Sequence, residues 1–323
     1  MSKLISIVIP TYNEEENVEP MAKAVRQMFE SDLPDYGYEI IFIDNDSKDN
    51  TRQLLKKICE EDENVTAIFN AKNFGPFNSP YYGMLQATGD AVVLLCADFQ
   101  DPVELIPEFV KEWENGYRIV IGKKLSSREN RFMYFLRSMY YSIIRKMSEV
   151  DQIEHFTGFG LYDRSFIEVL RDLKDPTPFL RGIVAELGWK RKEIAYEQQK
   201  RRAGKSYYSL YKYYDAAMLS FTSYTKVGLR MATFVGFTVG IVSFIIAIVY
   251  IILKLIHWDE YSMGTASLAV GLFFLGSVQL IFIGFVGEYI LSMNQRIMNR
   301  PLVIEEGRAG KNADKPIITG KAD

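Results

Sequence analysis

The stretch Gly89-Asp90-Ala91-Val92-Val93-Leu94-Leu95-Cys96-Ala97-Asp98-Phe99-Gln100-Asp101-Pro102 decides the fold. Residues 91–95 are a short, fully apolar run between a Gly-Asp pair and a polar turn. That is the pattern of a buried parallel strand. The turn sets Asp98, Gln100 and Asp101 at the carboxyl end of the strand, where open α/β sheets bind ligands. Hard oxygen donors this close together suit Mg²⁺ or Mn²⁺ rather than zinc. The same residues also read as a plain turn with a helix N-cap, because Asp101-Pro102 fits a cap followed by proline at the first helical position.

The pattern of apolar strand followed by polar loop repeats on both sides. Residues 4–9 predict a strand ended by Pro10, after which Thr11-Tyr12-Asn13-Glu14-Glu15-Glu16-Asn17 opens a helix running to about residue 29. Acids at that end suit the helix dipole. Residues 39–43 predict a second strand, ending in Asp44-Asn45-Asp46-Ser47-Lys48-Asp49-Asn50-Thr51. Residues 65–69 predict a third, then Asn73-Phe74-Gly75 and a helix to residue 87, and residues 118–121 a fifth. Strands alternating with helices predict a doubly wound, mostly parallel sheet. The glycine fingerprints of dinucleotide sites and P-loops are absent. Further on, residues 157–164 read as a strand and turn, 178–187 as a helix and 192–196 as a strand. The basic loop Lys200-Arg201-Arg202-Ala203-Gly204-Lys205-Ser206 follows.

The remaining sequence belongs to a membrane setting. Residues 128–148 and 207–225 are aromatic-rich on a helical period, the first also strongly basic. Such helices lie in a bilayer interface or pack as ordinary surface helices. Residues 231–253 are a charge-free run of 23, and residues 264–287 form a second apolar run. Each is long enough to span a bilayer core, which takes about 20 apolar residues. The connector at 257–263 lacks Lys and Arg, whereas Lys226, Arg230, Arg296 and Arg300 flank the other ends. The positive-inside rule then puts both ends in the cytosol. The N-terminus lacks a signal-peptide pattern, so the first domain is expected to be cytosolic. A net charge of −3 gives no reason to expect a nucleic-acid partner. Cys59 and Cys96 have no metal or redox spacing and read as reduced. Residues 305–323 are polar and rich in Gly and Lys, a composition that predicts disorder.

In this order the motifs resemble the family 2 glycosyltransferases that load a sugar onto a polyprenyl phosphate. The resemblance covers about residues 3–300. It rests on Val8-Ile9-Pro10-Thr11-Tyr12-Asn13-Glu14-Glu15, Asp44 with Ser47 and Asp49, Asn73-Phe74-Gly75, Ala97-Asp98-Phe99-Gln100-Asp101-Pro102, Leu161-Tyr162-Asp163-Arg164, Arg201-Arg202-Ala203-Gly204 and the two apolar runs. It implies a GT-A fold: an α/β, Rossmann-like, mostly parallel sheet followed by amphipathic interface helices and a two-helix transmembrane hairpin. The implied division is a cytosolic catalytic domain at 1–205, an interface helix at 206–227, two spans within 228–293 (about 231–254 and 264–290) and a cytosolic tail at 294–323.

The implied donor is a nucleotide-sugar, UDP-linked by preference, and the acceptor a polyprenyl (undecaprenyl) phosphate. Pro10, Tyr12, Glu14, Asp44, Asn73, Gly75 and Asp98 would hold the nucleotide-sugar. Asp98 and Gln100 would hold Mg²⁺ or Mn²⁺, and Asp98, Gln100 and Arg201 would serve catalysis. Arg201, Arg202, Lys205, Arg128 and Arg131 would take the acceptor phosphate. A homo-oligomer at a bacterial plasma membrane is also implied. The chain departs from the family at several positions: Cys96 and Gly158 stand where carboxylates are usual, and Tyr207 where a Lys is usual. Asn45 replaces an Asp in the Asp44 turn, and Pro76-Phe77 follow Asn-Phe-Gly where Lys-Glu is usual. His155 is close enough to Gly158 in sequence to be weighed as a replacement ligand, against the more ordinary reading of a lone histidine.

Two other functions fit parts of the pattern. A processive polysaccharide synthase would carry Gln-x-x-Arg-Trp and more spans, and this chain has neither. A non-catalytic scaffold that binds nucleotide-sugar or lipid is favoured by Cys96, Gly158 and Tyr207.

Overall fold

In this computed structural model the structure describes residues 2–125, 153, 155–202, 218–219, 221–222, 227–256, 265–311 and 313. The apolar runs bury as strands because each is too short to satisfy itself as a helix and is flanked by turn residues. In β1 (Leu4–Thr11) Ile5, Ile7 and Ile9 enter the core on one face of the sheet and Val8 the core on the other. A central strand covered on both faces has to be apolar at successive positions. Each aliphatic side chain so buried contributes about 1.5–3 kcal/mol.

The elements then follow as α1 (Val18–Asp32), β2 (Gly37–Asp44), α2 (Thr51–Glu61), β3 (Val65–Asn70), α3 (Gly75–Gln86), β4 (Ala91–Leu94), α4 (Ile106–Glu114) and β5 (Ile119–Lys124). After them come β6 (Phe156–Asp163), α5 (Arg164–Leu173), α6 (Leu180–Glu186), β7 (Arg191–Tyr196), α7 (Val227–Ile256), α8 (Thr265–Ile297) and β8 (Glu305–Gly310). The strand order is β7-β5-β6-β4-β1-β2-β3-β8. Pairings β1–β2, β1–β4, β2–β3 and β5–β7 are parallel, and β4–β6, β5–β6 and β3–β8 antiparallel. The sheet is thus mostly parallel, as expected. Helices α1, α2 and α4 cover one face through Met21, Val25, Leu55 and Phe109. Helices α3, α5 and α6 cover the other through Tyr81, Phe166 and Val184. Chain order reverses between β1 and β4, which makes their carboxyl ends the topological switch point.

The Leu161-Tyr162-Asp163-Arg164 motif turns out to be architectural. Asp163 pairs with Ala91 at the start of β4, the end remote from Asp98. Its carboxylate caps α5 by accepting from Ser165 N, and takes the Trp113 indole N–H at 2.8 Å and Arg118 at 3.0 Å. Arg164 donates to the carbonyls of Ala87 (3.0 Å) and Gly89 (2.8 Å), closing the end of α3. Burial pushes the Asp163 carboxyl up, but the Ser165 and Trp113 hydrogen bonds and the Arg118 charge outweigh it and hold it below the usual range. A depressed carboxylate stabilises the fold above its unfolded pKa, about 3.9, and loses that contribution as pH falls through the lower folded value. Asp163→Ala should therefore cost about 2 kcal/mol at neutral pH. In thermal unfolding against pH, the gap to the parent should close below about pH 4.

One expectation is corrected. Residues 305–310, expected to be disordered, form β8 against β3, the edge of the sheet. The polar composition hid a strand because its charges pair with each other and with the domain: Arg308 bridges Glu305, both buried, and Tyr82 donates its hydroxyl to Glu305. Helices α7 and α8 cover the predicted spans and leave Phe234, Phe237 and Leu272 about 70% exposed in the single chain. Among the described residues, Phe274–Ile297 is one segment of 24 residues long and apolar enough to cross a membrane. The expected interface helix at 128–148, most of 206–227, the connector at 257–263 and residues 314–323 lie outside the described residues.

Candidate active site

Four buried carboxylates gather at the carboxyl ends of the parallel strands: Glu14, Asp44, Asp98 and Asp101. Buried charge is costly unless paired, so their partners define the site. Two arginines supply most of the pairing.

The first pairing crosses the switch point. The turn after β4 is closed by Gln100 N donating to Asp98 Oδ1 at 3.1 Å, with Phe99 in the left-handed region at φ 59°. The segment after β7 lies along this turn: Gln199 N donates to Gln100 O (3.1 Å) and Arg202 N to Asp98 O (3.2 Å). That backbone docking delivers Arg201 between the loop after β1 and the turn after β4. Its guanidinium donates to Glu14 Oε1 at 2.7 Å, and its Nε lies 3.5 Å from Asp98 Oδ2. Nε is buried with no hydrogen-bond partner among the described residues. Burial pushes the Glu14 carboxyl up, opposed by the Asn17 hydrogen bond and the Arg201 charge and reinforced by Asp98. Arg202 instead places its guanidinium 5.2 Å from the centre of the Phe99 ring.

The loops after β1 and β2 are stitched together by backbone N–H groups donating to side-chain oxygens. Thr11 and Asp44 are register partners. Asn13, in the left-handed region at φ 54°, donates its N–H to Ser47 Oγ and accepts Lys48 N at 2.8 Å. Glu14 N donates to Thr51 Oγ1. Pro10 and Tyr12 are half-buried beside this seam. The next loop joins through asparagines: Asn45 donates to Asn73 Oδ1 (3.1 Å) and Gly75 O (3.2 Å) and accepts from Phe74 N (2.8 Å). Gly75 adopts φ 89°, which only glycine takes readily. Asn45, read from sequence as a departure, is thus the residue that positions the Asn73–Gly75 loop. Asp44 itself is fully buried and held by Arg52 at 2.7 Å and by Ser47 N.

Asp101 does not cap a helix. It is buried and takes the hydroxyl of Tyr196, and burial holds its carboxyl above the usual range. Tyr196 ends β7, so this contact ties that strand to the Asp98 turn; the only sequence signal was an aromatic residue closing a strand just before the basic loop. Gly158 sits at φ 108° on β6, and a Cβ there would meet Leu94 Cδ2 at 3.4 Å. The position lacks a carboxylate and has a backbone that suits glycine. His155 just precedes β6, its carbonyl accepting Lys124 N at 3.2 Å. No group of three or more His, Cys, Asp or Glu side chains placed to hold a metal occurs among the described residues. Asp98 and the Gln100 amide remain as hard oxygen donors, a set that suits Mg²⁺ or Mn²⁺ only when substrate phosphates complete it. The structure brings Glu14, Asp98 and Arg201 into contact and joins Asp44, Asn73 and Gly75 through their loops; Lys205, Arg128 and Arg131 lie outside the described residues.

A mostly parallel sheet with a charged, arginine-bridged switch point defines the class of this α/β domain. The chain belongs to glycosyl transferase family 2, whose pattern matches residues 6–171, and it is a glycosyltransferase. It is 33% identical over 301 residues to the SfII prophage-derived bactoprenol glucosyl transferase of Shigella flexneri, covering 93% of this chain and 96% of that protein. It is 32% identical to the prophage bactoprenol glucosyl transferase homolog of Escherichia coli K12, covering 88% and 93%. Among solved structures, the glucosyl-3-phosphoglycerate synthase of Mycobacterium tuberculosis aligns with a TM-score of 0.46 at 16% identity, over 68% of this chain and 78% of that one. That likeness is too distant to bear on the site.

Proposed function

We propose that this enzyme moves a sugar, with inversion, from a UDP-sugar to polyprenyl phosphate at the cytosolic face of a bacterial plasma membrane. The observation that carries the reading is the buried Nε of Arg201, which has no hydrogen-bond partner among the described residues and lies beside Asp98. A buried N–H donor is costly when unsatisfied, and a phosphate oxygen is the acceptor that this cation would bind most strongly. The names of the bactoprenol glucosyl transferases, matched over nearly their whole length, support a lipid-phosphate acceptor. Helices α7 and α8 would form the two-span anchor, with residues 1–205 and the returning strand β8 as the catalytic domain on the cytosolic side and interface helices between them. A homo-oligomer fits the same reading.

Glycosyl transfer develops oxocarbenium character on the sugar and negative charge on the leaving diphosphate. Arg201 stabilises that charge. Asp98 and Gln100 would hold a divalent ion on the diphosphate, and the ion would act as a Lewis acid. The loop 10–14, Asp44 and the Asn73–Gly75 loop hold the nucleotide. A phosphate monoester has its second pKa near 6 and is mostly dianionic at neutral pH, so the acceptor needs no general base. A glycine at 158 suits this acceptor much better than a sugar hydroxyl that must be deprotonated. Arg202, Lys205, Arg128 and Arg131 are the candidates for holding the acceptor phosphate against the donor's charge.

Incubating the purified enzyme with Mn²⁺, polyprenyl phosphate and each of a set of labelled nucleotide-sugars should give a chloroform-soluble labelled product with one UDP-linked donor. Absence of such a product with every donor would reject the lipid-phosphate acceptor.

A further inference from the structure

The guanidinium of Arg52 connects the proposed donor pocket to the far end of the chain. It lies on α2 and uses all three nitrogens. Nε donates to Asp44 Oδ2 at 2.7 Å, Nη2 to Asn70 O at 2.6 Å and Nη1 to Glu306 Oε2 at 2.7 Å. It also lies 5.7 Å from the centre of the Phe69 ring. The planar fork of an arginine can serve three acceptors in fixed directions, which a lysine ammonium cannot do in the same geometry.

The consequence falls on Asp44. Its carboxylate is fully buried, and Oδ2 takes both the Arg52 bond and the 3.2 Å bond from Ser47 N. Oδ1 has only the longer 3.4 Å contact from Ser47 N among the described residues. One oxygen is therefore fixed by the protein while the other keeps capacity to accept from a ligand. Glu306 belongs to β8, which is anchored by the buried Arg308–Glu305 pair and by the Tyr82 hydroxyl on Glu305. Ala71 N also donates to Ile304 O, which brings the approach to β8 beside the Asn73–Gly75 loop.

We propose that Arg52 is a positioning residue for donor binding, oriented by Glu306 of β8, so that the strand following α8 helps set the carboxylate that receives the nucleoside. This rests on the reading of Asp44 as part of the donor pocket. Arg52 touches no substrate; it acts by aiming Asp44.

The test measures UDP binding by calorimetry, and donor KM and kcat, on the full-length enzyme and on Asp44→Asn, Arg52→Lys and Glu306→Gln. Arg52→Lys should weaken UDP binding roughly tenfold, the scale of one lost hydrogen bond to a charged group. It should raise donor KM more than it lowers kcat. Glu306→Gln keeps the shape of the contact and should weaken binding about threefold with the same KM bias. Affinity within twofold of the parent in both variants, with binding lost in Asp44→Asn, would overturn the role of Arg52 and leave the donor pocket standing. Unchanged affinity in Asp44→Asn would overturn the pocket assignment itself and the inference with it. Glu306 is 60% exposed on its side chain, so Glu306→Gln keeps the test open should Arg52→Lys fail to fold.

Discussion

Arg201→Ala is expected to lower transfer by about a thousandfold, the scale of removing a charged stabiliser from a transition state that builds charge, while the domain stays folded. The fold should survive because the segment is held by its backbone, through Gln199 N to Gln100 O and Arg202 N to Asp98 O, and not by the guanidinium. What the substitution removes is the cation between Glu14 and Asp98. Glu14 is already pushed up by burial, so in the variant it can take a proton and relieve the repulsion with Asp98. Lipid-linked product formation and a thermal unfolding midpoint, measured on one preparation, separate the two effects. More than a tenth of the parent's activity in a folded Arg201→Ala variant would remove Arg201 from the chemistry.

The second large effect is expected at Asp98. Asparagine is close to isosteric and its side-chain oxygen can still accept from Gln100 N, so the turn should keep its shape with Phe99 in the left-handed region. What is lost is charge: Arg201 loses the Asp98 counter-ion, and the proposed divalent ion would lose its carboxylate. Asp98→Asn should lower kcat/KM by two to three orders of magnitude, and raise the Mn²⁺ concentration needed for half-maximal rate. A titration of rate against Mn²⁺ checks both. Parent-like activity with an unchanged metal requirement would place the ion elsewhere.

Much of the site was legible because its chemistry sits on loops that must follow buried strands. The apolar runs at 4–9, 39–43, 65–69 and 91–95 can be little else than strands, and each delivers its next residues to the same edge. Asp98 was found that way, whereas Glu14 and Asp44 lie on loops placed that way but owe their roles to the resemblance. Arg201 was found by the resemblance, since a basic loop beyond residue 200 carries no local signal of where it docks. Arg52, Tyr196 and Asn45 were missed as site-shaping residues. Arg52 reads as an exposed helix residue until Asn70 and Glu306 are brought beside it. The Asp163–Arg164 pair, part of the recognised pattern, holds the opposite end of the sheet together.

The sequence by itself determined the alternation of strands and helices, the acidic rim at the strand ends and the two long apolar helices, because hydrophobic period and turn chemistry act over a few residues. Only the tertiary structure decided which charges meet. A strand of polar residues at 305–310 is stable because β3 offers an open edge and Glu305 and Arg308 satisfy each other in the interior. The pairings of Asp44 with Arg52, and of Glu14 and Asp98 with Arg201, join segments from 8 to 187 residues apart in the chain. Burial makes such pairing obligatory, and local sequence contains no information about the partner.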